Sequence, residues 1–181
     1  MLAAVEAHVR RYFAEHASAS TAWALGPTPH RWPAFRVLHF SPGPRTSGHT
    51  YVSVGAAEVR DGFHREFLLI APEADQCHIE TLAMIAYYHH TQGLDVGHTL
   101  PIGRPWCAGA RCEHFLVSLP YPFGTELEQL VVGGHEVQLL WLLPIYDAER
   151  KLVHERGLEA LESLLEKHAC DYLDLQRAPV V

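Results

Sequence analysis

Apolar residues recur at spacings of three and four at the start of the chain. Leu2, Val5, Val9 and Phe13 lie on one side of a helical wheel, with Glu6, Arg10 and Arg11 elsewhere. That period predicts an amphipathic helix over residues 2–17. A stretch from Ser18 to Pro33 carries Pro27, Pro29 and Pro33 and reads as a loop. Its Trp23 and Trp32 are too apolar to leave together in water, so they are expected to cap a hydrophobic edge. The period then changes to two. Phe35–Phe40, Thr50–Val54 and Phe63–Ile70 read as strands, separated by turn signals over Ser41–Gly48 and at Arg60-Asp61-Gly62. Links this short favour antiparallel hairpins.

Pro72 to Asp75 open a second helix, whose apolar stripe is Ile79, Leu82, Ala83 and Ala86, running through Tyr88 to a stop at Gly93. His89 and His90 near that end would complement the helix dipole if protonated. An irregular segment from Leu94 to Cys112 follows, of a length that is often functional. His114–Leu119 and Val137–Ile145 read as strands. The second is apolar on both faces and should lie centrally in the sheet. Between them, Val132-Gly133-Gly134-His135 reads as a strand-to-strand turn. Asp147 is placed to cap a helix that Gly157 interrupts, and Leu158, Leu161 and Leu165 continue it to Lys167. Tyr172–Leu175 reads as a last short strand. This order predicts the α+β class, a mostly antiparallel mixed sheet packed against helices. Residues 1–181 read as a single domain, with 1–34 forming the N-terminal helix and Pro/Trp loop and 35–181 the core.

Composition narrows the function. The chain has 14 basic and 21 acidic residues, a net charge of −7 with histidine neutral, which argues against general nucleic-acid binding. No apolar run is long enough to predict a membrane span. Four cysteines without a CxxC pair, and a start lacking a secretory pattern, point to a cytoplasmic protein with reduced thiols. The absence of asparagine and the scarcity of lysine suggest a bacterium with a GC-rich genome.

No phosphate-cradling, dinucleotide-binding, zinc-protease or serine-hydrolase motif is present. Two constellations carry alternative chemistry. His98, Cys107, Cys112 and His114 could supply four zinc ligands, although structural zinc sites use tighter pairs. Cys107 beside His98 could form a nucleophile and base for a hydrolase. Otherwise Cys107 and Cys112 are small apolar fillers, and the chain reads as a non-enzyme with no metal or cofactor.

An ordered series of segments carries more than these patterns. Ser47-Gly48-His49-Thr50-Tyr51-Val52-Ser53-Val54-Gly55, Gly62-Phe63-His64-Arg65-Glu66-Phe67, Leu82-Ala83-Met84-Ile85-Ala86-Tyr87-Tyr88 and Gly97-His98-Thr99-Leu100-Pro101-Ile102 resemble the suppressor of fused domain. So do His114-Phe115-Leu116-Val117, Leu140-Trp141-Leu142-Leu143-Pro144-Ile145 with Asp147-Ala148-Glu149, and Leu173-Asp174-Leu175-Gln176-Arg177. The resemblance implies a mixed α+β domain that works by binding a protein, without catalytic residues. In animals the domain holds a transcription factor through an added peptide strand, and bacterial single-domain relatives look like immunity proteins that neutralise a toxin. The expected partner is a basic toxin domain, steered by the acidic charge. The expected surface joins the Gly97–Trp106 loop to Tyr121-Pro122-Phe123, with Tyr88, His98, Trp106, Tyr121 and Phe123 as binding residues.

Overall fold

The computed structural model describes residues 1–60 and 62–181. Its spine is an eight-stranded sheet ordered β1-β2-β3-β4-β8-β6-β5, with β7 paired to β8. The strands are β1 (Ser18–Ala22), β2 (Arg36–Phe40), β3 (His49–Val54), β4 (Arg65–Ala71), β5 (Thr99–Pro101), β6 (His114–Ser118), β7 (Gln129–Val132) and β8 (His135–Ile145). The helices are α1 (Leu2–Tyr12), α2 (Pro27–Arg31), α3 (Gln76–Gln92), α4 (Thr125–Glu128), α5 (Asp147–Arg156) and α6 (Leu158–Lys167). All pairings are antiparallel except β4 with β8, which run parallel. The α+β class and the mixed, mostly antiparallel sheet follow the sequence pattern.

Strand alternation divides the core into two layers. Leu38, Phe40, Val52, Val54, Leu68, Ile70, Leu139, Trp141 and Leu143 face α1, α5 and α6. Val37, Tyr51, Phe67, Leu69, Phe115, Val117, Leu140 and Leu142 face α3 and the segment after β5. β8 is therefore buried on both sides and lies between β4 and β6, as its unbroken apolar run predicts. It joins β7 through Gly133 and Gly134, whose φ angles of 59° and 84° suit a tight two-residue hairpin.

Several elements depart from the pattern. α1 stops at Tyr12, short of residue 17. The expected loop over Ser18–Pro33 contains β1 and α2. β1 (Ser-Ala-Ser-Thr-Ala) has no apolar alternation because all five residues are exposed, and Pro27 opens α2 where helices accept proline. Trp23 and Trp32 pack half-buried on the second layer, as expected. The irregular segment contains β5, and α4 and β7 lie between the two expected strands. Asp147 is the first residue of α5 rather than its cap. The Glu149 carboxylate instead accepts the Tyr146 N–H at 2.9 Å. Tyr172–Leu175 forms turns and no strand, because Asp171 and Asp174 carboxylates accept backbone N–H groups two residues on. The expected turn at Arg60-Asp61-Gly62 includes Asp61, which lies outside the described residues.

Two buried carboxylates brace this frame. Glu66, fully buried on β4, accepts from Ser53 Oγ at 2.5 Å and from the N–H groups of Gly55, Ala56 and Ala57 at 2.7, 3.1 and 3.1 Å. Burial nonetheless pushes its carboxyl up to about 7, against those four donors. Glu149, also fully buried, receives both guanidinium nitrogens of Arg177 at 2.7 Å. Arg177 further donates to Pro144 O at 3.1 Å, so the C-terminal segment is strapped across the end of β8.

Candidate protein-binding surfaces

A groove of about 840 Å³ opens where β5 ends the sheet. The sequence builds it through α3 and two turns. Asp75 caps α3 by accepting the Cys77 N–H at 2.8 Å, and Gly93, at φ 69°, ends the helix. Buried His89 accepts the Leu94 N–H at 2.9 Å through Nδ1 and therefore donates from Nε2 to Phe63 O at 3.1 Å. Gly97, at φ 86°, turns the chain again and donates to Val117 O at 2.8 Å, which lays β5 beside β6. The walls are Tyr88 and Gln92 of α3, His98 and Thr99, His114 of β6, and Arg150 and His154 of α5.

The polar groups of the groove are partly linked. Thr99 Oγ1 and His154 Nε2 are 3.1 Å apart. Asp147 holds Arg150 at 2.7 Å and Lys151 at 2.8 Å, with His114 Nε2 at 3.8 Å. Those cations keep the Asp147 carboxyl well down, at about 2, with the Lys151 hydrogen bond the largest cause. His114 Nδ1 is buried without a hydrogen-bond partner. Asp95, beside the turn, is bound to Arg65 at 3.3 Å.

The five expected binding residues do not share one surface. Tyr88 and His98 line the β5 groove and are exposed. Tyr121 is 58% exposed and lines a second groove of about 850 Å³ with Trp141, Leu143, Glu162, Leu165 and Tyr172. Its hydroxyl donates to Glu162 Oε1 at 3.1 Å. Trp106 and Phe123 are 5% and 6% exposed and lie in opposite layers. Trp106 packs on His78 and Phe115, and Phe123 on Tyr12 and Phe13. Both rings fill core, as buried aromatics usually do.

The alternative chemistry is not assembled. Among the described residues, no three His, Cys, Asp or Glu side chains come close enough together to hold a metal ion. His98 and His114 line the groove, while Cys107 and Cys112 pack against the second layer. Burial pushes both thiols up to about 11, which keeps them protonated and poorly nucleophilic at neutral pH. Sequence reasoning missed Arg150 and His154. Their spacing of four on a predicted helix, which puts two basic groups on one face, was the available signal.

The suppressor of fused protein family matches residues 31–178. A suppressor of fused homologue from Neisseria gonorrhoeae is 35% identical. It covers 99% of this chain and 96% of its own, with a TM-score of 0.88. The crystal structure of the Sufu–Fu complex aligns over 99% of this chain and 91% of its own, at 13% identity and TM-score 0.70. Drosophila Suppressor of Fused aligns over 98% of this chain and half of its own, at 13% identity and TM-score 0.67. No curated protein matches the chain. The last two likenesses concern the fold; family match and bacterial homologue together carry the assignment. The chain belongs to the suppressor of fused family.

Proposed function

We propose that this protein is a non-catalytic binding domain whose β5 groove receives a segment of another protein. The open groove, with exposed Tyr88, His98 and His154 around a short sheet edge, carries this reading. The fold supports it, since a domain of the same architecture occurs in a complex of Sufu with Fu. The protonated thiols favour binding over nucleophilic catalysis. The four cysteines are unpaired, consistent with action in the reducing cytoplasm.

The partner class we favour is a toxin neutralised by stoichiometric occlusion, as an immunity protein does. A net charge of −7 would steer a basic toxin domain at neutral pH. Co-expression with a toxin encoded beside this protein tests the reading. Protection of the cells and a one-to-one complex by size-exclusion chromatography are expected. Neither protection nor complex would sink the immunity role.

A further inference from the structure

The groove differs in sign from the molecule around it. The whole chain carries 21 acidic against 14 basic residues, yet among the described residues no Asp or Glu lines the groove. Its titratable and charged lining groups are Tyr88, His98, His114, Arg150 and His154. We infer that the groove accepts an acidic peptide segment, held by Arg150 and by the imidazoles of His98, His114 and His154. This rests on the groove being the binding site; the segment is a local acidic stretch, distinct from the basic surface that the overall charge of −7 would steer.

The elements packed around the groove bring little free opposing charge into it. α3 contributes Tyr88 and the amide of Gln92, while its His89 is buried and bonded inward. The turn before β5 contributes His98, and its Asp95 is committed to Arg65. β5 contributes Thr99, Leu100 and Pro101, all uncharged. β6 contributes His114, preceded by the exposed Glu113. α5 contributes Arg150 and His154, with Asp147 behind them already shared between Arg150 and Lys151 and the exposed Glu155 after His154. Of the carboxylates beside the cluster, Asp147 already serves Arg150 and Lys151, Asp95 is bound to Arg65 and lies beside His98, and Glu113 and Glu155 are exposed to water. His114 adds a buried ring nitrogen that lacks a partner, and exposed His98 and His154 flank Thr99. An incoming carboxylate would add a charged acceptor to groups whose present partners are the Thr99 hydroxyl, the Asp95 N–H and an Asp147 already shared with two cations.

Selection from a random twelve-residue peptide display library on the intact protein tests this, with a Tyr88→Ala/Gln92→Ala variant used to identify groove-dependent clones. Those clones are expected to be enriched in Asp and Glu over the input library. A synthetic peptide from the leading clone should bind about fivefold tighter at pH 6.0 than at pH 7.5. Its own carboxylates titrate near pH 4 and do not change over that range. In a His98→Gln/His154→Gln variant, which alters only exposed rings, the gain should fall below twofold. Groove-dependent clones that are neutral or rich in Lys and Arg would overturn the acidic ligand and leave the binding groove standing. So would a full pH gain in the histidine variant. Failure to recover any groove-dependent clone would overturn the groove as a binding site and this inference with it.

Discussion

The two edges of the sheet present opposite resources. At one edge, β1 has five exposed, uncharged, small residues. Ala17 O accepts the Ser41 N–H, so alternation turns the backbone groups of Ser18, Ser20 and Ala22 to the open side. At the other, β5 has three residues. Leu100 lies in the hydrogen-bonded register with β6, and Pro101 has no N–H, so Thr99 supplies the only free strand donor. Backbone is plentiful where side-chain chemistry is absent, and scarce where histidines, Arg150 and Tyr88 gather. Selectivity at the β5 edge must come from side chains, with strand pairing at most an accessory.

The edges are also braced differently. Near β1, Glu6 holds Arg36 and Arg10 in ion pairs that water reaches, and such pairs contribute little. Near β5, the Arg177–Glu149 pair is buried and fixes the segment that donates from Gln176 to Gly109 O in the loop after β5. Arg177→Ala should therefore lower unfolding free energy by about 3–5 kcal/mol, because it leaves Glu149 buried and unpaired. Urea denaturation at pH 7 checks this, and a loss under about 1 kcal/mol would erase the contrast in bracing.

Between the edges, Glu66 sets a pH dependence. Its folded pKa, about 7, lies above the ordinary carboxyl value of 4.5, so its contribution is present below 4.5 and lost as pH rises to about 7. His39, His78 and His89 act oppositely. Burial lowers each below 6.5, so their contributions are present above that value and lost as pH falls. Glu66→Gln should remove only the first trend. The stability difference between wild type and variant should change by on the order of 3 kcal/mol between pH 4.5 and 7.5. A pH-independent difference in urea titrations would show that Glu66 stays ionised in its cage.

Smaller effects separate the edges as binding sites. Tyr88→Ala should weaken a groove-bound partner roughly tenfold by isothermal calorimetry, without loss of folding. Ser20→Pro removes one outward N–H from β1 and no ladder bond, so partner affinity and melting temperature should stay nearly constant. Loss of binding in Ser20→Pro would move the site to the opposite edge.

What could be read from the sequence tracks how completely each segment buries itself. β8 and α3 announced themselves because their burial is continuous or periodic. β1 did not, since an exposed edge strand needs no apolar alternation. β5, α4 and β7, of three, four and four residues, are too short for a period to register. Of the five residues expected on one surface, Tyr88 and His98 line the β5 groove and Tyr121 a second groove, whereas the burial of Trp106 and Phe123 could not be inferred. Aromatic type is shared by interface anchors and core fillers, and only packing tells them apart. The groove's basic character escaped notice because its histidines come from a turn, a strand and a helix far apart in sequence.

The parallel seam of β4 with β8 has a consequence for the order of assembly. Arg65 pairs with Gln138, so β4 leaves the ribosome long before its neighbour exists. During synthesis the Arg65–Leu68 stretch that will meet β8 lies along a temporary edge, its apolar Phe67 and Leu68 unpaired on that side. Closure of the seam waits on a long loop and is expected to be the slow step of folding. The nascent chain is thus most exposed to mispairing during the interval in which β5 to β7 are being made.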